Sequence, residues 1–145
     1  MTKSQIICVV DDEPAIRETL ENVLSDEGYP VMSCEDSECF YQELEQQTPA
    51  LVLLDIWLPG TDGMAVLSRL RETHPDLPVI MMSGHAGIDA AVNAIKLGAV
   101  DFMEKPLQLE ILLDKIAIFL SNKPPDKIKD IASDTRMEVA KIINP

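Results

Sequence analysis

Basic residues are scarce in this chain, its cysteines follow no pairing pattern, and no apolar stretch is long enough to cross a bilayer. Each shortage removes a class of function. Twelve Lys and Arg stand against 25 Asp and Glu in 145 residues, a formal charge of −13. A field of that sign repels phosphate backbones and anionic lipid surfaces, so neither direct DNA contact by this chain nor membrane association is expected. The three cysteines, Cys8, Cys34 and Cys39, form no C-x-x-C pair and have no histidine cluster beside them, which argues against a zinc site and a disulfide framework. No apolar run approaches the ~18 residues of a membrane helix, and the opening MTKSQ lacks an apolar signal segment, so a cytoplasmic location is expected. Glycine-rich nucleotide cradles are missing as well. No G-x-G-x-x-G follows the first apolar run, and no G-x-x-x-x-G-K-[ST] occurs.

What is present fits one globular domain with a core, since 46% of the residues are apolar and 26% charged. The acid is unevenly spread. Residues 1–121 hold 21 Asp and Glu against 7 Lys and Arg, whereas residues 122–145 hold 4 against 5. The boundary falls at Ser121 to Asp126, SNKPPD, where paired prolines prevent a helix from continuing. Beyond it Ile128, Ile131, Ala132, Thr135, Val139 and Ile142 form one stripe of an amphipathic helix. Such a helix is marginal alone, so the tail is either a docked or dimerising helix or a frayed extension. Its basic residues alternate with Asp126, Asp130, Asp134 and Glu138, unlike a DNA-binding arm.

Short unbroken apolar runs, Ile6 to Val10, Leu51 to Leu54 and Val79 to Met82, suit strands buried on both faces of a parallel sheet. Pro30 to Cys34 and Ala99 to Met103 are interrupted by polar residues and suit sheet edges. Between the runs apolar residues recur at helical spacing: Ile16, Leu20, Val23 and Leu24; Phe40 and Leu44; Met64, Leu67 and Leu70; Ile88, Ala91, Val92 and Ile95; Leu109, Leu112, Leu113 and Ile116. Gly28 and Gly98 stand where helices would stop. Five strands alternating with five helices predict a doubly wound α/β fold. With the second and fifth strands at the edges, the sheet order is the flavodoxin-like 2-1-3-4-5, followed by a C-terminal linker helix.

In that order the ligand crevice lies beyond the carboxyl ends of the first and third strands. Asp11, Asp12 and Glu13 follow the first strand, and Asp55 follows the third. Three converging aspartates repel one another unless a cation joins them or their pKa values rise, and Mg²⁺ suits a few carboxylates and several waters. Each also has a simpler role open to it: Asp12 as cap of the first helix, with Glu13 and Pro14 in its opening turn, and Asp55 as a turn residue before Pro59-Gly60. Asp62-Gly63 is a turn dipeptide. Ser83-Gly84 after the fourth strand offers a hydroxyl and an amide, and Lys105 after the fifth offers a cation. Together these groups suit phosphoryl transfer from a donor other than a bound nucleotide.

The segments CVVDDEP (8–14), LLDIWLPG (53–60), MSGH (82–85) and FMEKP (102–106) resemble the response-regulator receiver domain of two-component signalling, over about residues 4–121. Within that family the stretch Val79 to Leu107 is most similar to receivers of NtrC- and NtrX-type sigma-54 regulators. The resemblance implies a receiver at 1–121 with a Pro-containing linker and amphipathic helix at 122–145. It implies Asp55 as acceptor of a phosphoryl group from a sensor histidine kinase. It implies Mg²⁺ held by Asp11, Asp12, Asp55 and the Trp57 carbonyl, with Ser83, the Gly84 amide and Lys105 at the phosphoryl oxygens. It also implies a cis Lys105-Pro106 bond and Phe102 as the switch aromatic. Such a chain catalyses its own phosphotransfer and autodephosphorylation and is not otherwise an enzyme. Trp57 and His85, each two residues beyond a site residue, are expected to obstruct hydrolytic water; the other reading of Trp57 is a partly exposed loop aromatic available to a partner. Homodimerisation through the fourth-helix/fifth-helix face or the C-terminal helix is expected, with a transcriptional output domain absent from this chain. A stand-alone receiver, a non-phosphorylating interaction module and an aspartyl-phosphate phosphatase are the alternatives. The last calls for D-x-D, and position 57 is Trp.

Overall fold

The structure is a computed structural model that describes residues 5–85 and 87–121. The expected linker and helix at 122–145 lie outside the described residues. In chain order the elements are β1 (Ile7–Val10), α1 (Pro14–Asp26), β2 (Val31–Cys34), α2 (Ser37–Gln46), β3 (Leu51–Asp55), the short β4 (Trp57–Leu58) and β5 (Thr61–Asp62), α3 (Gly63–Thr73), β6 (Val79–Ser83), α4 (Ile88–Lys96), β7 (Asp101–Glu104) and α5 (Leu109–Leu120). The main sheet is parallel, in the order β2-β1-β3-β6-β7. This is the flavodoxin-like order expected from the sequence, with the two interrupted strands at its edges.

Every residue of β1, β3 and β6 is buried. Successive side chains point to opposite faces of a strand, and the packing follows that alternation. Cys8, Val10, Val52, Leu54, Val79 and Met81 pack on one side with Phe40 of α2, Val66, Leu67 and Leu70 of α3 and Ala94 of α4. Ile7, Val9, Leu51, Leu53, Ile80 and Met82 pack on the other with Leu20 and Leu24 of α1 and Leu112 and Ile116 of α5. At about 1.5–3 kcal/mol for each large apolar side chain removed from water, these two layers dominate folding.

Local chemistry sets the helix ends. Pro14 occupies the first turn of α1, Asp36 caps α2 by accepting from the Cys39 N–H at 2.9 Å, and Asp62 caps α3 by accepting from the Met64 N–H at 2.9 Å. Gly28 and Gly98 follow α1 and α4 at φ 90° and 110°, where a side chain would be strained. Three details differ from the sequence expectations. Glu13, not Asp12, is the N-cap residue of α1, and its side chain makes no cap hydrogen bond. Asp62-Gly63 is a helix start and not a free turn. The Ile88/Ile95 stripe of α4 faces outward, 82% and 44% exposed, because the helix lays its small residues Ala90 and Ala94 on the sheet instead.

Candidate functional site

The carboxyl ends of β1, β3, β6 and β7 converge on one crevice. Asp11 follows β1 and is fully buried, Asp12 beside it is exposed, and Asp55, the last residue of β3, is 3% exposed. Carboxylate oxygens of all three lie within 4.8 Å of one another, and among the described residues this is the group that could hold a metal ion.

Backbone amides orient the two buried carboxylates. Asp11 Oδ1 accepts from the Glu13 N–H at 2.9 Å, and Asp55 Oδ1 accepts from the Trp57 N–H at 3.2 Å. The opposite oxygens meet Lys105. Its Nζ lies 2.7 Å from Asp11 Oδ2, 3.1 Å from Asp55 Oδ2 and 3.2 Å from Glu13 Oε1. Asp11 Oδ2 is buried and, although ion-paired, has no donor in hydrogen-bond alignment. A buried carboxylate oxygen with unused acceptor capacity, beside two further carboxylates, fits an all-oxygen divalent cation such as Mg²⁺.

The charges tune one another. Burial pushes the Asp55 carboxyl up from the usual carboxylate range and the nearby Asp11 charge pushes it further, while Lys105 pulls the other way. Burial alone would pull the Lys105 ammonium down, but the Asp11 and Asp55 carboxylates outweigh it and hold it above the usual lysine value. Lys105 is thus firmly charged in a crevice that needs a cation.

Ser83 ends β6 and is fully buried; its Oγ accepts from the His85 N–H at 3.2 Å, and its carbonyl accepts from the Lys105 N–H at 2.9 Å. Gly84 stands against Lys105, where a Cβ would meet the lysine stem at 3.9 Å. The Lys105-Pro106 bond is cis. Phe102 in β7 is half-buried and packs on the core layer of α2, α3 and α4. Trp57 and His85 are exposed, Trp57 at 62%.

Two contributors were not evident from sequence. The Arg17 guanidinium donates to the Asp11 carbonyl at 2.7 Å and ties α1 to the end of β1; its only trace is a lone cation on a helix carrying Glu18, Glu21 and Asp26. The second is a pairing: Glu13, already expected at the crevice from the sequence, joins Lys105 across it, a contact between residues 92 positions apart.

Fold and crevice together define a doubly wound α/β protein with a lysine-bridged cluster of aspartates at its switch point, the place where such sheets bind ligands. The sequence pattern of the response regulator receiver domain matches residues 7–117, and the chain belongs to that family. It is 43% identical over 109 residues to the nitrogen assimilation regulatory protein NtrX of Azorhizobium caulinodans, covering 74% of this chain and 24% of that protein. It is 34% identical over 143 residues to the transcriptional regulatory protein FixJ of Bradyrhizobium diazoefficiens, covering 98% and 70%. Among solved structures, the receiver domain of NtrX from Brucella abortus superposes with a TM-score of 0.76 at 42% identity, covering 80% of this chain and 98% of that one. The beryllofluoride-activated NtrC4 receiver domain dimer superposes with a TM-score of 0.78 at 33% identity, covering 82% and 98%. The chain spans about a quarter of the length of the curated NtrX relative.

Proposed function

We propose that this chain is a phosphorylation switch whose acceptor is Asp55. The observation that carries the proposal is the Asp55 carboxylate itself, buried at the end of β3, 3.1 Å from Lys105 Nζ and within reach of the Asp11 and Asp12 carboxylates. In the reaction an Asp55 carboxylate oxygen attacks the phosphorus of a phosphohistidine on a sensor histidine kinase. The new O–P bond forms as the P–N bond breaks, and the imidazole leaves with the electron pair and takes a proton from solvent. Lys105 neutralises the transferring oxygens, while Ser83 Oγ and the Gly84 amide, at the end of the neighbouring strand β6, receive them. Asp11, Asp12, Asp55 and the Trp57 carbonyl are the residues that would hold Mg²⁺, which when bound supplies positive charge to the phosphoryl oxygens.

Signal then passes through Ser83 and Phe102 to the helices flanking edge strand β7. Ile88 and Ile95 on α4, and Ile111 and Ile118 on α5, each lie seven residues apart and exposed, two apolar stripes suited to pairing with a second copy. We take residues 1–121 as the receiver and 122–145 as its connection to a transcriptional output domain in a cytoplasmic regulator. The higher identity to NtrX favours a sigma-54 type of output. Trp57 and His85 flank the phosphoryl position and extend its lifetime, so Trp57→Ala loses the phosphoryl group faster than the wild type.

Acetyl phosphate with Mg²⁺ tests the assignment without the kinase. The wild type should gain one phosphoryl group, and none when EDTA is present from the start, and Asp55→Asn should gain none. Labelling of Asp55→Asn at the wild-type rate would contradict the assignment.

A further inference from the structure

Gly63 opens α3 directly under the end of β3. A Cβ there would lie 2.3 Å from the Asp55 carbonyl oxygen, 2.7 Å from Ile56 Cα and 2.9 Å from the Ile56 carbonyl oxygen. All three are backbone atoms, which cannot swing aside as a side chain would. The Gly63 N–H also donates to the Ile56 carbonyl at 2.7 Å. The chain reaches this position through the β4–β5 hairpin, where Trp57 pairs with Asp62 and Leu58 with Thr61. The hairpin is tied to α2 by the Ser37 hydroxyl, which donates to Thr61 Oγ1 at 3.0 Å.

We propose that Gly63 is a positioning residue for phosphoryl transfer: a bare α-carbon against which the Asp55–Ile56 backbone is seated, fixing both the acceptor carboxylate and the Trp57 carbonyl. The inference rests on the reading of Asp55 as phosphoacceptor. A purely local role makes the opposite prediction. Position 63 is the first residue of a helix capped independently by Asp62, and helix propensity favours alanine over glycine there. Gly60, in the same hairpin, is an internal control. It needs its φ of 70° but has nothing within 4 Å of a would-be Cβ, so Gly60→Ala strains the turn without crowding Asp55.

The test uses the full chain as wild type, Gly63→Ala, Gly60→Ala and Thr61→Val. Mg²⁺ affinity is read from the fluorescence of Trp57, the single tryptophan, the melting temperature is read in EDTA, and phosphorylation by acetyl phosphate is followed at saturating Mg²⁺. Gly63→Ala should bind Mg²⁺ about tenfold more weakly and phosphorylate at least about tenfold more slowly, since small misplacements of reacting groups cost rate steeply. Gly60→Ala should melt lower yet keep Mg²⁺ affinity within about twofold. Wild-type affinity and rate in Gly63→Ala, or an equal loss in Gly60→Ala, would overturn the inference. If Gly63→Ala does not fold, Thr61→Val decides. Losing only the hairpin's hydroxyl contact should weaken Mg²⁺ about threefold with little change in melting, and unchanged affinity would overturn the inference. A wild type that neither binds Mg²⁺ nor accepts phosphate removes the phosphoacceptor reading and this one with it. A competent wild type beside an unaffected Gly63→Ala removes only the role of Gly63.

Discussion

Lys105 is the cation that lets two buried carboxylates coexist, and replacing it with methionine isolates that role because the stem volume is kept. Of its three partners, Glu13 has a side chain 58% exposed and can turn to water, so that pair contributes less than about 1 kcal/mol. Asp11 and Asp55 cannot turn away: their side chains are 0% and 4% exposed, at 2.7 and 3.1 Å from Nζ. Removing one partner of a buried ion pair costs about 3–5 kcal/mol. Part of this returns when the Asp55 carboxyl, already raised by burial and by Asp11, takes up a proton, leaving about 2–3 kcal/mol. At a few degrees per kcal/mol for a domain of this size, Lys105→Met should melt roughly 10 °C below the wild type in EDTA at pH 7. Millimolar Mg²⁺ stabilises both proteins and should close about half of that gap, because the more negative crevice of Lys105→Met should bind it about tenfold more tightly, worth about 1.4 kcal/mol. Adding Asp55→Asn to Lys105→Met should raise the melting temperature again by removing one uncompensated charge. Thermal unfolding followed by circular dichroism measures all three. If Lys105→Met melts within about 2 °C of the wild type in EDTA, or if Mg²⁺ leaves the gap unchanged, the electrostatic account of the crevice is wrong.

Three further outcomes follow from other parts of the molecule. In EDTA, Asp55→Asn alone should melt above the wild type at pH 7. Burial and then Asp11 raise the Asp55 carboxyl in the folded state, so the wild type recovers as pH falls through that raised value, and the difference closes below about pH 4; a gap that widens on acidification would contradict this. The Cys39 thiol is pushed up to about 12, by burial first and then by contact with Cys34, so iodoacetamide at pH 8 should alkylate the folded protein about a thousandfold more slowly than the unfolded chain. Leu67→Ala, at a fully buried position against the sheet, should cost about 3 kcal/mol in urea unfolding; a loss under 1 kcal/mol would mean that the α3 contact matters less than its burial implies.

Much of this architecture was legible in the sequence because it depends on side-chain patterning. Ser33 and Asp101 interrupt β2 and β7, and a strand carrying polar residues is tolerated at a sheet edge. The unbroken β1, β3 and β6 could only be central. The acidic cluster was legible for the same reason: Asp11 and Asp55 end central strands, and the topology brings those ends together. What escaped was set by backbone proximity. The β4–β5 hairpin consists of two-residue strands with no periodicity, and only Pro59-Gly60 signals its turn. Gly63 appeared to be half of a turn dipeptide because the crowding by Asp55 and Ile56 exists only after folding. The outward face of α4 was misleading because the isoleucines carry the hydrophobic signal, while close packing on the sheet selects the alanines.

The central claim is chemical, and trapping the acyl phosphate tests it most directly. After incubation with acetyl phosphate and Mg²⁺, borohydride reduces an aspartyl phosphate to homoserine, which peptide mass spectrometry assigns to a position in the chain. Homoserine at position 55, absent without Mg²⁺ and absent when Lys105 is Met, is the expected result. Homoserine at another aspartate, or none while the wild type demonstrably binds Mg²⁺, would contradict the account.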